Sequence, residues 1–187
     1  MKKILCVDDE NFIHAIVSDY FKNDGHEVHA AMNGLDAFLM AINTHFDLIL
    51  TDPPYGNMMR KKRTADIQTS SKGKLNTPFS ENKKDIGNLE LNDFLDELKM
   101  IIQNSVKLLK DRKYLVVFIK DMQPKEDHDN MLHVDVVRKL TEIKNLKYKG
   151  YKIWFDHTQM LYPLGYPYAF VANQFHQFIL IFRKEEE

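Results

Sequence analysis

The chain has 187 residues, of which 44% are hydrophobic, so it is long enough for one domain with a sizeable core. Its formal net charge of -1 argues against a protein that coats nucleic acid over its whole surface, so any contact with a polyanion must come from a local patch. The one cysteine, Cys6, excludes an internal disulfide and a cysteine-based zinc site and favours a cytoplasmic location. No apolar run reaches the roughly 18 residues of a membrane span, so no membrane partner is expected.

The first quarter of the chain alternates between strand patterns and helix patterns. Apolar residues run continuously or alternate in the predicted strands and recur at helical spacing between them. A stop signal at Asn23-Asp24-Gly25 and a turn at Asn33-Gly34 separate the elements. In chain order we predict a strand at 4–7, a helix at about 12–21, a weak strand at 26–30, a helix at 35–42 and a strand at 46–51. Alternating units of this kind indicate a parallel sheet.

The pattern stops at Gly56 and resumes at about Asn88. A loop of this length inside a compact domain is usually either a functional lid or a disordered segment, and the sequence leaves both open. Beyond it we predict a helix at 91–109, a strand at 114–119, a helix at 134–143, and strands at 151–157 and 177–182. The last two strands could form a hairpin-like pair.

A motif of an acid, two prolines and an aromatic residue, Asp52-Pro53-Pro54-Tyr55, follows the strand at 46–51 directly. Ligands of open α/β sheets bind at this end of a strand. A carboxylate and an outward proline carbonyl can accept hydrogen bonds from an exocyclic amino group, and a tyrosine can stack on a flat ring. The motif therefore suits an amino-bearing base; the alternative is a proline-stiffened turn whose aspartate caps the following residues.

Basic residues outnumber acidic ones in the long loop. Because the loop follows a possible base-binding turn, its basic residues could bind phosphates. The alternative is that the loop is flexible and solvated. The candidate nucleic-acid-binding residues are Arg60, Lys61, Lys62, Arg63, Lys72 and Lys74.

Residues 46–187 resemble the amino-group methyltransferases of DNA and RNA. The resemblance is carried by Asp52-Pro53-Pro54-Tyr55, the segments 77–80 and 85–88, and the strands at 114–120 and 173–184. It implies an α/β fold with a three-layer, mainly parallel, Rossmann-like sheet and a reversed strand near the C-terminus. It also implies S-adenosylmethionine as methyl donor and methylation of adenine N6, cytosine N4 or guanine N2. In this interpretation Asp52, Pro53, Pro54 and Tyr55 form the catalytic loop.

Enzymes of this kind carry a glycine-rich turn after a strand, where the backbone approaches the methionine portion of the cofactor. The candidate strand here ends without glycine, in Val7-Asp8-Asp9-Glu10-Asn11. Val7, Asp8, Asp9 and Asn11 are therefore the candidate cofactor-binding residues. The missing glycines leave open whether the chain is fully active.

Residues 1–52 resemble the receiver domains of bacterial response regulators. The segments that match are 4–10, 25–28, 33–37 and 46–52. This second resemblance implies a flavodoxin-like sheet, a Mg²⁺ site formed by Asp8, Asp9 and Asp52, and phosphorylation of Asp52 by a histidine kinase or a small phosphodonor.

The two resemblances share the strand that ends at Asp52. We therefore expect a hybrid chain, natural or engineered, that folds as one α/β domain over 1–187, with a receiver-like half at 1–52 and a methyltransferase-like half at 53–187 that carries the basic loop 56–88. Three functions stay open at this point: a nucleic-acid methyltransferase, a receiver-like signalling module, and a folded hybrid with neither activity.

Overall fold

The computed structural model of the chain describes residues 1–8, 11–42, 44–56, 85–121, 131–155 and 174–186. The predicted basic residues between Arg60 and Lys74 lie outside these ranges. The described elements are β1 (Lys3–Val7), α1 (Asn11–Asn23), β2 (Glu27–Ala31), α2 (Gly34–Ala41), β3 (Phe46–Thr51), α3 (Leu91–Val106), β4 (Leu109–Ile119), α4 (Leu132–Thr141), β5 (Leu146–Phe155) and β6 (His176–Lys184). A short 3-10 turn spans Ile86–Asn88.

Local sequence signals account for where several helices begin and end. Gly25, with a φ of 75°, follows the last turn of α1 in a conformation that glycine adopts without strain. At the start of α2 the Asn33 side chain accepts a hydrogen bond from the Asp36 amide at 2.9 Å. The buried residues of α3 recur at helical spacing, so that one face of this helix packs inward.

The strands form two hydrogen-bonded groups. β1 pairs with β2 in parallel, and the other four strands lie in the order β3-β4-β6-β5. β3 is parallel to β4, whereas β6 is antiparallel to both of its neighbours. β3, β4 and β5 therefore run in one direction and β6 is reversed. The α/β fold with mainly parallel strands and a reversed strand near the C-terminus is as predicted.

The two groups of strands touch without sharing a ladder. β1 contacts β3, and the Lys2 ammonium lies 3.8 Å from the Asp47 carboxylate. No hydrogen-bonded register joins β1 to β3 in the described ranges. Within the described ranges, the strands before Phe46 and the strands after it therefore touch without sharing a ladder.

The main core lies entirely in the second group. Helices α3 and α4 pack together and against one face of the four-stranded sheet, and the fully buried residues include Phe94, Leu115, Val136 and Phe182. No described residue before position 46 belongs to this cluster of buried residues. On α1 and α2 several large apolar side chains are instead exposed: Phe12, Ile16, Tyr20, Leu35, Phe38 and Leu39.

Two predicted boundaries were wrong. Helical spacing places Leu109 on the apolar face of a helix, but α3 ends at Val106 and Leu109 is the fully buried first residue of β4. β5 begins at Leu146, five residues before the predicted start at Tyr151. None of the described helices combines the length and the apolar character that crossing a membrane requires.

Candidate active site

The loop after β3 brings three side chains into one hydrogen-bonded chain. The Tyr55 hydroxyl donates to Asp52 Oδ1 at 3.4 Å, and Gln177 Nε2 donates to the Tyr55 oxygen at 3.2 Å. The first contact is longer than the about 2.5–3.0 Å of a strong hydroxyl hydrogen bond, so it is a weak one. Asp52 stays exposed, while Tyr55 is half-buried and packs against the main core.

Sheet topology explains how Gln177 reaches this loop. β6 lies next to β4 and runs in the opposite direction, so its first residues lie beside the carboxyl end of β4. Gln177 is the second residue of β6 and pairs with Trp154 of β5. Gln177 lies in the segment 173–184 that carries part of the resemblance, but no role was predicted for it, because it lies 122 positions from Tyr55 and their contact arises only from the packing of the strands.

Burial and nearby charge change the pKa values of both ionisable side chains of the loop, Asp52 and Tyr55. Partial burial raises the pKa of the Asp52 carboxyl, and the hydrogen bond from Tyr55 partly opposes this. Burial, followed by the negative charge of Asp52, raises the pKa of Tyr55 to about 12, although the hydrogen bond from Gln177 lowers it. Tyr55 is therefore protonated at neutral pH and remains a hydrogen-bond donor.

Two glycines allow the loop to pack closely against the rest of the protein. Gly56 has a φ of 58°, and a Cβ added there would lie 3.0 Å from the Leu89 carbonyl oxygen and 3.3 Å from Phe94 Cβ. A Cβ on Gly87, in the 3-10 turn, would lie 3.1 Å from Pro54 Cβ. The segment 85–88, which carried part of the resemblance, thus lies directly against the Asp-Pro-Pro-Tyr loop.

A second acid lies at the same edge of the sheet, just beyond β4. Asp121 is buried, and its Oδ1 accepts from the His133 amide at 2.9 Å while its Oδ2 lies 2.6 Å from His133 Nδ1. The His133 ring stacks on Phe178 with centroids 3.9 Å apart. Because His133 is in the first turn of α4, this carboxylate caps the helix and fixes it to the end of β4. No role was predicted for this pair from the sequence.

Three of the predicted cofactor residues, Val7, Asp8 and Asn11, lie in the described ranges, whereas Asp9 lies outside them, so their role in binding S-adenosylmethionine stays a prediction. Val7 and Asn11 are exposed, and the Asp8 amide donates to the Ala31 carbonyl at 3.1 Å. At Gly56 and Gly87, other residues of the protein already fill the space where a side chain would lie. The described residues after β1 therefore offer no glycine at which backbone and cofactor could approach closely.

The predicted Mg²⁺ site includes Asp9, which lies outside the described residues. Within the described ranges no group of three or more histidine, cysteine, aspartate or glutamate side chains is arranged to hold a metal ion. The metal and phosphoacceptor roles of Asp52 stay predictions.

The family of the chain is identified by a comparison with family models. A family model of DNA methylases matches residues 46–187. Similar solved structures include a protein from Thermus thermophilus assigned as a DNA modification methylase, which is 18% identical with a TM-score of 0.48 and aligns over 100% of this chain and 54% of its own. An S-adenosylmethionine-dependent methyltransferase from Streptococcus mutans is 12% identical with a TM-score of 0.49, over 97% and 44% of the two chains.

The chain spans about half the length of these solved proteins. A curated relative, the regulatory protein AtoC of Escherichia coli strain K12, is 28% identical in an alignment of 124 positions that covers 60% of this chain and 27% of that protein. The family match covers about three quarters of the chain and includes the whole loop after β3. The chain belongs to the DNA methylase family.

Proposed function

We propose that the chain acts as an amino-group methyltransferase on nucleic acid, with adenine N6, cytosine N4 or guanine N2 as acceptor. The hydrogen-bonded chain from Gln177 through Tyr55 to Asp52 carries this proposal. It joins an acceptor carboxylate and an aromatic ring at the end of a parallel strand, inside the segment that matches the family.

The acceptor side of the reaction follows from these groups. Tyr55 contacts Asp52 Oδ1, which leaves Oδ2 to accept a hydrogen bond from the amino group of a base. An ionised carboxylate in this position draws the amino proton towards itself and makes the nitrogen more electron-rich. Pro53 has no amide hydrogen, and its carbonyl is the second candidate acceptor. The Tyr55 ring, oriented by Gln177, would stack on the base.

S-adenosylmethionine is the methyl donor that family membership favours. The candidate turn after β1 is only partly described, so we derive no step through the cofactor. Val7, Asp8, Asp9 and Asn11 remain the candidates for its binding.

A methylation assay with Asp52→Asn tests the proposal. The purified chain is incubated with methyl-labelled S-adenosylmethionine and DNA or RNA, and the methylated nucleoside is then identified. We expect transfer by the wild type and a loss of about 100-fold or more in the variant, because the carboxylate contacts the reacting amino group. Asp93→Asn, at an exposed position on α3, serves as the control and is expected to keep full activity.

The variant is expected to fold. Folding raises the pKa of Asp52, so the folded protein favours the protonated carboxyl. The contribution of Asp52 to stability is therefore present at low pH and is lost as the carboxyl ionises. An uncharged amide at this position should therefore leave the unfolding temperature at pH 7 unchanged or higher. Retained methylation by folded Asp52→Asn would reject the role of Asp52. A folded wild type that methylates none of the three bases would reject the activity itself.

A further inference from the structure

One face of the four-stranded sheet is open to solvent. Helices α3 and α4 pack on the face that carries Leu115 and Leu180. Side chains alternate between the two faces along each strand, so the neighbours of these residues lie on the opposite face. We call that opposite face the open face. Its large apolar side chains, in register across the four strands, are Leu48, Leu50, Tyr114, Val116, Phe118, Ile179, Ile181 and Trp154.

The apolar side chains of the open face lack a second layer of structure. Leu48, Leu50, Tyr114 and Trp154 are 50%, 59%, 42% and 50% exposed, so no helix within the described ranges buries them. β4 is apolar without interruption over its last five residues, 115–119. Uninterrupted apolar strands are typical of sheets that are covered on both faces. The sequence of this sheet therefore favours a cover for the open face.

Helices α1 and α2 carry apolar surfaces that face solvent. Both helices contact β1 and β2. On α2 the buried residue is the small Ala41, whereas the large Leu35, Phe38 and Leu39 are exposed. On α1 the exposed apolar side chains recur at every fourth position, at Phe12, Ile16 and Tyr20. Residues at these spacings share one face of a helix. Grouped apolar side chains of this kind mark a surface that binds another protein.

The open face and the two helices have complementary charge. The charged residues in register on the open face are basic: Lys147, Lys152 and Arg183. Glu185, which follows β6, lies 3.6 Å from Arg183. The segment 11–42, which contains both helices, has four acids and one lysine, a net charge of -3 with neutral histidines. Two open faces placed against each other would instead bring basic residues together, which costs free energy.

We propose that the open face binds α1 and α2 of a second copy of the chain, in a two-fold symmetric dimer. The other face of the same strands carries two helices, so the open face has room for two. A two-fold axis forms each contact twice, because each copy offers both its helices and its open face. A half-exposed large apolar side chain contributes about 100 Å², so the exposed side chains of both surfaces give about 2,000 Å² in the dimer, which a stable homodimer requires.

Sedimentation equilibrium of the purified chain over a series of concentrations tests the proposal. We expect a dimer that dissociates to a monomer on dilution. Trp154 is the one tryptophan of the chain and lies on the open face. Its fluorescence emission should therefore move to longer wavelength as the dimer dissociates. A wild type that stays monomeric at every concentration would overturn the inference.

Matched substitutions identify the two surfaces. Leu50→Lys places a charge within the open face and should weaken dimerisation about 100-fold or more, because the charge would be buried without a partner. Phe38→Glu does the same on α2 and should weaken dimerisation as strongly. Ile153→Lys serves as the control and should dimerise as the wild type does, because Ile153 is 53% exposed on the other face of the same sheet. A dimeric Phe38→Glu or Leu50→Lys chain would overturn the inference.

A mixture of Leu50→Lys and Phe38→Glu chains completes the test. The first variant keeps an intact α2 and the second keeps an intact open face, so the mixed pair regains one of the two contacts. The other contact brings the introduced lysine near the introduced glutamate. We expect a heterodimer in the mixture where neither variant dimerises alone, which also shows that both variants are folded. A mixture that stays monomeric would contradict the proposed pairing of helices with the open face.

Discussion

At the residue scale, the position of Tyr55 depends on a partner far away in sequence. Its hydroxyl accepts from Gln177 and donates to Asp52, so both of its hydrogen-bonding functions are in use. The motif predicted that Asp52 and Tyr55 belong to one loop, since they are neighbours in sequence. It could not predict Gln177 or the Asp121–His133 pair, because these contacts arise only when strands and helices pack.

Tyr55→Phe should change the pH dependence of methyl transfer. The hydroxyl lowers the pKa of Asp52, so its removal raises that pKa further. If transfer requires the ionised carboxylate, the acidic limb of the rate profile should move to higher pH, and the shift should be small because the hydrogen bond is long. The measurement is kcat against pH for both proteins. Tyr20→Phe removes the hydroxyl of an exposed tyrosine on α1 and serves as the control, with no shift expected. An unmoved limb in Tyr55→Phe would show that the hydrogen bond from Tyr55 does not act on Asp52.

At the scale of elements, the loop after β3 is placed by the residues that pack beneath it. Gly56 lets the chain turn where Leu89 and Phe94 leave no room for a side chain. The strand at 46–51 could be predicted to the residue because its apolar run is bounded by polar residues and the prolines. The start of β4 could not be predicted in this way, because Leu109 also continues the helical spacing of the apolar residues of α3. At β5, a register shift between Tyr148 and Gly150 interrupts the apolar–polar alternation that begins at Leu146, so the first half of this edge strand was not predicted.

Gly56→Ala should cost clearly more stability than Gly25→Ala. Both glycines have positive φ, but a Cβ at Gly25 would meet nothing within 4 Å. Gly25→Ala should therefore lower the free energy of unfolding only by the cost of placing an alanine at positive φ, about 1–2 kcal/mol. Gly56→Ala adds close contacts with Leu89 and Phe94, for a total of about 2–4 kcal/mol. Denaturant unfolding of the three proteins gives both losses, and equal losses would mean that the surroundings of Gly56 adjust without cost.

At the scale of the whole molecule, the core is unevenly distributed. The main buried cluster is drawn from α3, α4 and the four-stranded sheet, whereas the exposed apolar side chains of α1 and α2 lie outside it. The alternation of strands and helices predicted the fold class correctly. It could not show whether the first two strands would join the rest of the sheet, because periodicity reports which side of a strand is buried but not its neighbour.

Hydrogen exchange should therefore divide the molecule into two levels of protection. Amides of β4 and β6, inside the core, should exchange only through global unfolding. Amides of β1 and β2 should exchange through a smaller opening and lose protection at lower denaturant concentrations. Mass spectrometry of peptides from each strand across a denaturant series measures this, and one common opening energy for all strands would contradict it.

The contact between β1 and β3 without a ladder has a consequence for how such a chain can change over generations. Hydrogen-bonded strands must agree in register, since a slip of one residue moves every side chain to the opposite face. β1 and β3 share no such register in the described ranges. Insertions, deletions or recombination before Phe46 therefore need not be matched by changes in β3 and the strands paired with it, which makes this position a tolerant junction for recombination.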